Sequence, residues 1–102
     1  MLLIMARCQV IPEHWEDFSK QVEQIIPLVH LEPGCIRYEL HSDVYTPGLF
    51  IFHEEWESQQ HLDDHIASKH MKEHFSLTTE WMASPVELMI YTVTDVEKKT
   101  LS

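Results

Sequence analysis

Glycine is almost missing from this chain of 102 residues: only Gly34 and Gly48 occur, each inside a turn pattern. A loop that cradles phosphate needs clustered glycines so that backbone N–H groups can approach it, so a P-loop and a dinucleotide fingerprint are both excluded. Flavin or nicotinamide binding through a glycine-rich fingerprint falls with them. Basic residues are scarce as well, 7 Lys and Arg against 17 Asp and Glu, for a net charge of -10. Nucleic acid calls for clustered cations on one surface, and the acid excess argues against it as a partner. Strongly anionic substrates are disfavoured on the same ground. Cysteine occurs twice, as Cys8 and Cys35, too few for a disulfide scaffold and in no Cys-x-x-Cys motif. Both fall in strand patterns, where cysteine acts as a small buried apolar side chain. No apolar run nears the roughly 20 residues a membrane helix needs, so no membrane association is expected. The start, Met1 to Arg7, lacks a basic leader and reads as a strand rather than a signal peptide. A reducing, cytoplasmic setting is therefore expected.

What is present is a run of regular patterns sufficient for one domain. Leu2, Ile4, Ala6, Cys8 and Val10 alternate with polar residues, the period of a half-buried strand. Pro12 and the acids Glu13, Glu16 and Asp17 then suit a helix start. Trp15, Phe18, Val22, Ile25 and Val29 form one apolar helical face. Pro27 lies inside that pattern and predicts a kink or an early end. Glu32-Pro33-Gly34-Cys35 reads as a turn with positive φ at Gly34. Cys35–Ser42 alternates again, with Ile36, Tyr38 and Leu40 against Arg37, Glu39 and His41, and after Thr46-Pro47-Gly48 the strand Leu49–Trp56 is the most apolar of all. Ser58 predicts a helix cap before Leu62, His65 and Ile66, and Ser68 a second cap before an inner face of Met71, Phe75, Thr78 and Met82. Val86–Thr94 reads as a last strand.

The order is β-α-β-β-α-β, an α+β, ferredoxin-like arrangement with helices on one face of an antiparallel sheet. Residues 1–94 are expected to form the domain and residues 95–102 a polar C-terminal tail. The uncovered sheet face would carry Met5, His53 and Met89. A face of that kind is expected to be covered by a second copy, making a homodimer.

The chemistry concentrates in the third strand and the helix after it. Strand alternation sends Phe50, Phe52, Glu54 and Trp56 to one side, which their aromatic content assigns to the helices. His65, on the face the next helix must bury, then lies opposite. Apolar walls, a carboxylate, an indole N–H and an imidazole suit a small aromatic ligand. His65 is then either a base or proton shuttle or a satisfied core histidine. Glu54 is a general base, an orienting partner of His65 or a satisfied structural carboxylate, its pKa raised by burial unless a donor meets it. Trp56 reads as core before donor to a ligand oxygen. His61/His65 and His70/His74 have the i, i+4 spacing that can hold a metal. No HExxH and no cysteine pair supports them, so surface histidines, with no metal site, are expected.

The turn Glu32-Pro33-Gly34-Cys35 with Tyr38, then Glu54-Glu55-Trp56-Glu57-Ser58, His61-Leu62, His65 and Ser68-Lys69-His70-Met71-Lys72 together resemble the antibiotic biosynthesis monooxygenase domain family, and within it the small quinol-monooxygenase-like proteins. The resemblance covers about residues 2–94. It implies a dimeric α/β barrel and oxidation of a quinol or polyphenol by O₂ without metal, flavin or other cofactor. It implies Trp56, His65 and Glu54 as catalytic residues and Tyr38 and His70 beside the substrate; the strand and helix patterns add Phe50, Phe52, Leu62 and Phe75 as apolar walls around it. Phe50 and Phe52 occupy a face on which polyketide-oxidising relatives carry an Asn. The first strand lacks the Asn of haem-degrading relatives, which disfavours haem breakdown. The alternative expectation is a non-catalytic dimeric barrel that binds a small aromatic ligand.

Overall fold

A computed structural model describes residues 1–102. The elements follow in the order β1 (Leu2–Gln9), a 3-10 turn (Pro12–His14), α1 (Trp15–His30), β2 (Cys35–Ser42), β3 (Leu49–Trp56), α2 (Gln59–Ala67), α3 (Lys69–Thr78), a second 3-10 turn (Thr79–Trp81) and β4 (Glu87–Thr92). The four strands form one sheet in the order β2-β3-β1-β4, with every neighbouring pair antiparallel. This is the expected ferredoxin-like α+β arrangement.

The core lies between the sheet and the helices. Leu2, Ile4, Ala6, Cys8 and Val10 of the β1 segment are all buried, facing Phe18, Val22, Ile25 and Val29 of α1. Each large side chain so buried contributes about 1.5–3 kcal/mol relative to exposure. Ser58 accepts a hydrogen bond from the His61 backbone N–H and starts α2. Ser68 closes α2 and, with an extended backbone (ψ 153), caps α3 through the Met71 N–H. The second crossover is therefore a bent pair of helices, as the two serines predict.

Four details differ from the sequence reading. Helix α1 runs through Pro27 to His30. Pro27 and Glu23, four residues before it, are both exposed, so the carbonyl that loses its partner faces water. In β2 a register shift between Cys35 and Arg37 turns Ile36 outward, 51% exposed, while Tyr38 stays buried. On α3 the buried residues are Met71, His74 and Thr78, not Phe75, so His74 is a core histidine and not a surface one. On α2 Ile66 is partly exposed beside the buried Leu62 and His65.

On the far sheet face Met5 pairs with His53 on one side and with Met89 on the other. Strand β4 is exposed along its whole length, Leu88, Met89, Ile90 and Tyr91 included.

Candidate active site

A cavity of about 220 Å³ lies between the sheet and the α2–α3 pair. It is lined by 17 residues, 13 of them hydrophobic; the other four are Glu54, His65, His74 and Thr78. Few polar groups in an apolar wall fix the orientation of a small ligand while burial supplies the affinity. The volume falls below the roughly 300–1,000 Å³ of drug-sized pockets, which favours a ligand of one or two rings.

Each polar group is set by its element. Alternation along β3 brings Phe52 and Glu54 to the cavity and buries Trp56 behind it, fully enclosed. The Trp56 indole Nε1–H donates to Glu54 Oε1 at 3.0 Å. His65 occupies the last turn of α2, and its ring packs against Trp56 (centroids 4.5 Å) and against Tyr38 edge-on (5.4 Å). Its Nδ1–H donates to the Glu32 carboxylate, 2.9 Å from Oε2 and 3.2 Å from Oε1. A carboxylate only accepts, so this bond places the proton of neutral His65 on Nδ1 and leaves Nε2 as a lone pair. Glu54 Oε1 stands 3.9 Å from that Nε2.

Glu32 reaches His65 because of the turn that carries it. Gly34 adopts φ 78, the Cys35 N–H bonds back to the Glu32 carbonyl, and the Glu57 N–H bonds to the Gly34 carbonyl at 2.9 Å. The last bond ties the turn to the end of β3. The same Glu32 Oε2 accepts from His70 Nε2 at 2.8 Å.

Burial sets the electrostatics. Loss of hydration pushes the Glu54 carboxyl up to about 7; the Trp56 hydrogen bond opposes that rise and the Glu32 charge adds to it. Burial pulls His65 below the usual imidazole value, against the hydrogen bond and charge of Glu32, which raise it. His74 is drawn down to about 4, chiefly by burial and secondly by His65. Burial likewise lifts the Tyr38 hydroxyl well above its ordinary value, so it remains protonated. At neutral pH the site holds two uncharged imidazoles and a carboxyl poised near its midpoint.

The structure brings His65, Glu54, Tyr38, Phe52 and Leu62 together in the cavity wall, with Phe75 at its half-exposed margin. It does not bring Phe50 or His70 there. Phe50 packs on Phe18, at 5.2 Å between ring centroids, and His70 joins the group only through Glu32. One expected contact is corrected: Glu32, not Glu54, holds the His65 ring. Trp56 lies in the core, as its residue type suggests, and its N–H goes to Glu54 and not to the ligand oxygen that the resemblance implies. Across the two i, i+4 pairs, His65 and His70 meet at Glu32. Sequence reasoning missed Glu32 and His74 as site residues. The 71, 74, 78 spacing is a helical face and could have revealed His74; no spacing links Glu32 to His65, 33 residues away.

Comparison with known proteins bears on the family and the fold. The model of the family described as antibiotic biosynthesis monooxygenase matches residues 1–77. The chain belongs to the antibiotic biosynthesis monooxygenase family. The match to that family contains β1 to β3, α2, Glu32, Glu54, His65 and His70. A conserved protein of Methanosarcina mazei is 33% identical with a TM-score of 0.85, over 88% of this chain and 89% of that one. Rv0793 of Mycobacterium tuberculosis has the same fold, with a TM-score of 0.88, 22% identity, and 95% and 98% of the two chains covered. An uncharacterized protein of Synechocystis sp. is 26% identical over 94% of this chain, which spans 65% of that protein's length. No helix is long and apolar enough to cross a membrane.

Proposed function

We propose that the protein is a cofactor-independent monooxygenase that oxidises a quinol or similar polyphenolic aromatic with O₂. The observation that carries this reading is the pairing of Glu32 with His65 Nδ1, which leaves the His65 Nε2 lone pair beside an apolar cavity. Membership in a monooxygenase family agrees with it.

In this reading the ring occupies the cavity lined by Phe52 and Leu62, and Nε2 removes the proton of a ring hydroxyl. Glu32 stabilises the imidazolium that forms, as the third group does in a nucleophile–base–carboxylate relay. The resulting electron-rich anion reduces O₂ itself. One oxygen atom enters a ring carbon in place of its hydrogen and becomes a carbonyl or hydroxyl. The other leaves as water, and the quinol supplies all four electrons. Glu54, poised near neutrality, supplies or accepts the proton that the second oxygen needs. The proposal extends to a homodimer in which a second copy covers the face of Met5, His53 and Met89 and the exposed strand β4, closing the α/β barrel.

A second reading, a binding protein for a small aromatic ligand, draws support from one observation. The Trp56 N–H is already satisfied by Glu54, so the cavity offers a ring oxygen one donor fewer.

Product analysis under ¹⁸O₂ separates the two. The oxygenase reading expects one labelled atom in the product quinone and one in water, beyond the autoxidation control. Saturable binding of the quinol with no label in the product supports the binding protein.

A further inference from the structure

The group behind His65 has a second use. Glu32, His65 and His70 present one carboxylate oxygen and two imidazole nitrogens, all within 4.8 Å of one another. Two of the three contacts are already 2.8 and 2.9 Å, and both end on the same atom, Glu32 Oε2. The three side chains come from different elements: the α1–β2 turn, the end of α2 and the start of α3. His65 is buried and Glu32 nearly so, whereas His70 keeps 24% of its side chain open, which leaves an entry path. Ser68 Oγ lies 3.3 Å from His70 Nε2 and could orient a bound water.

We propose that Glu32 Oε2, His65 Nδ1 and His70 Nε2 form a site for a divalent transition ion of the zinc type, and that the ion switches off the His65 base. Two nitrogens and one oxygen suit zinc, cobalt or nickel and not magnesium or calcium, which require an oxygen shell. Metal–ligand bonds of about 2.0–2.1 Å in tetrahedral geometry separate the ligand atoms by roughly 3.3 Å, so each nitrogen needs to part from Glu32 Oε2 by about half an ångström. Only His65 belongs to the cavity wall; Glu32 and His70 do not. The ion therefore sits behind the imidazole and out of reach of a substrate.

The consequence follows from proton placement. The metal takes the Nδ1 lone pair, so the proton of neutral His65 moves to Nε2. Nε2 changes from acceptor to donor, with Glu54 Oε1 3.9 Å away to receive it. A base becomes a hydrogen-bond donor with no change of fold. The effect on turnover rests on the base role proposed above; the binding does not.

The test is calorimetric titration of the whole purified chain with Zn²⁺, with Co²⁺ as a spectroscopic probe. The wild type is expected to bind one equivalent at this site, and His70→Gln to weaken it by about 100-fold or more, as loss of a direct ligand should exceed the 10–100-fold of an outer partner. Glu32→Gln serves as a second variant should the first not fold. The trio Glu39, His41 and His53, of which only His41 is exposed, is the competing location, removed by His41→Ala. Unchanged affinity in both His70→Gln and Glu32→Gln, or loss on His41→Ala instead, overturns the proposal. Nitrogen-15 NMR gives the direct readout: zinc should move the His65 proton from Nδ1 to Nε2, and a proton that stays on Nδ1 contradicts the switch.

Discussion

Glu32 Oε2 accepts the His65 Nδ1–H at 2.9 Å, joining a tight turn to a helix end 33 residues further along the chain. That contact decides which face of the imidazole is free. It predicts that Glu32→Gln, which keeps the shape but loses the charge, lowers kcat for quinol oxidation by roughly 10²-fold, within the range of a lost general-base contribution. Because Glu32 holds the His65 pKa up, the acid limb of the pH–rate profile should also move to lower pH. Oxygen-uptake rates between pH 5 and 8 check both statements.

The buried acid and the buried imidazole oppose each other in the stability profile. Glu54 has its folded pKa raised from 4.5 to about 7, so its contribution is full below 4.5 and is lost as pH rises through 7. His74 has its folded value lowered from 6.5 to about 4, so stability is present above 6.5 and is lost as pH falls toward 4. His65 acts in the same direction as His74. Each of the two larger shifts corresponds to on the order of 3 kcal/mol. On going from pH 7 to pH 5, Glu54→Gln should therefore lose stability more steeply than wild type, and His74→Leu less steeply. Urea midpoints at the two pH values give the answer.

His74 Nδ1 is buried without a hydrogen-bond partner. An unsatisfied buried polar atom costs about 1–3 kcal/mol. At pH 7.5 His74→Leu should thus be neutral or stabilising by about 1 kcal/mol, in contrast to the usual loss at a core position. A clear drop in the urea midpoint would mean that the nitrogen is satisfied in solution.

Much of this fold is legible because periodicity reports burial. The alternation of Leu2 to Val10 and of Leu49 to Trp56 marks strands whose faces the structure keeps. Ser58 and Ser68 mark caps because a hydroxyl can take an orphan N–H. Pro27 does not end the helix, since an exposed last turn tolerates a lost bond. Ile36 misleads because a bulge leaves no trace in an apolar pattern. The site is half legible. Glu54, Trp56 and His65 follow from local spacing, whereas the Glu32 contact depends on how α1 returns to the sheet, which no local pattern encodes.

Gly34 is the hinge of that contact. Its φ of 78 is unfavourable for a side chain, and a Cβ there would run into the His61 ring. Gly34→Ala should cost about 1–3 kcal/mol and, by shifting the turn, release Glu32 from His65. Thermal unfolding reads the first effect; loss of the downfield Nδ1 proton signal reads the second.

The most direct test is oxygen uptake by metal-free protein with a panel of hydroquinones and naphthoquinols, run beside His65→Ala. Uptake well above autoxidation that falls by about 10²-fold or more in the folded variant is the predicted result. Equal rates in wild type and variant, or no uptake from a folded protein that still binds the quinol, would contradict a His65 base in this cavity.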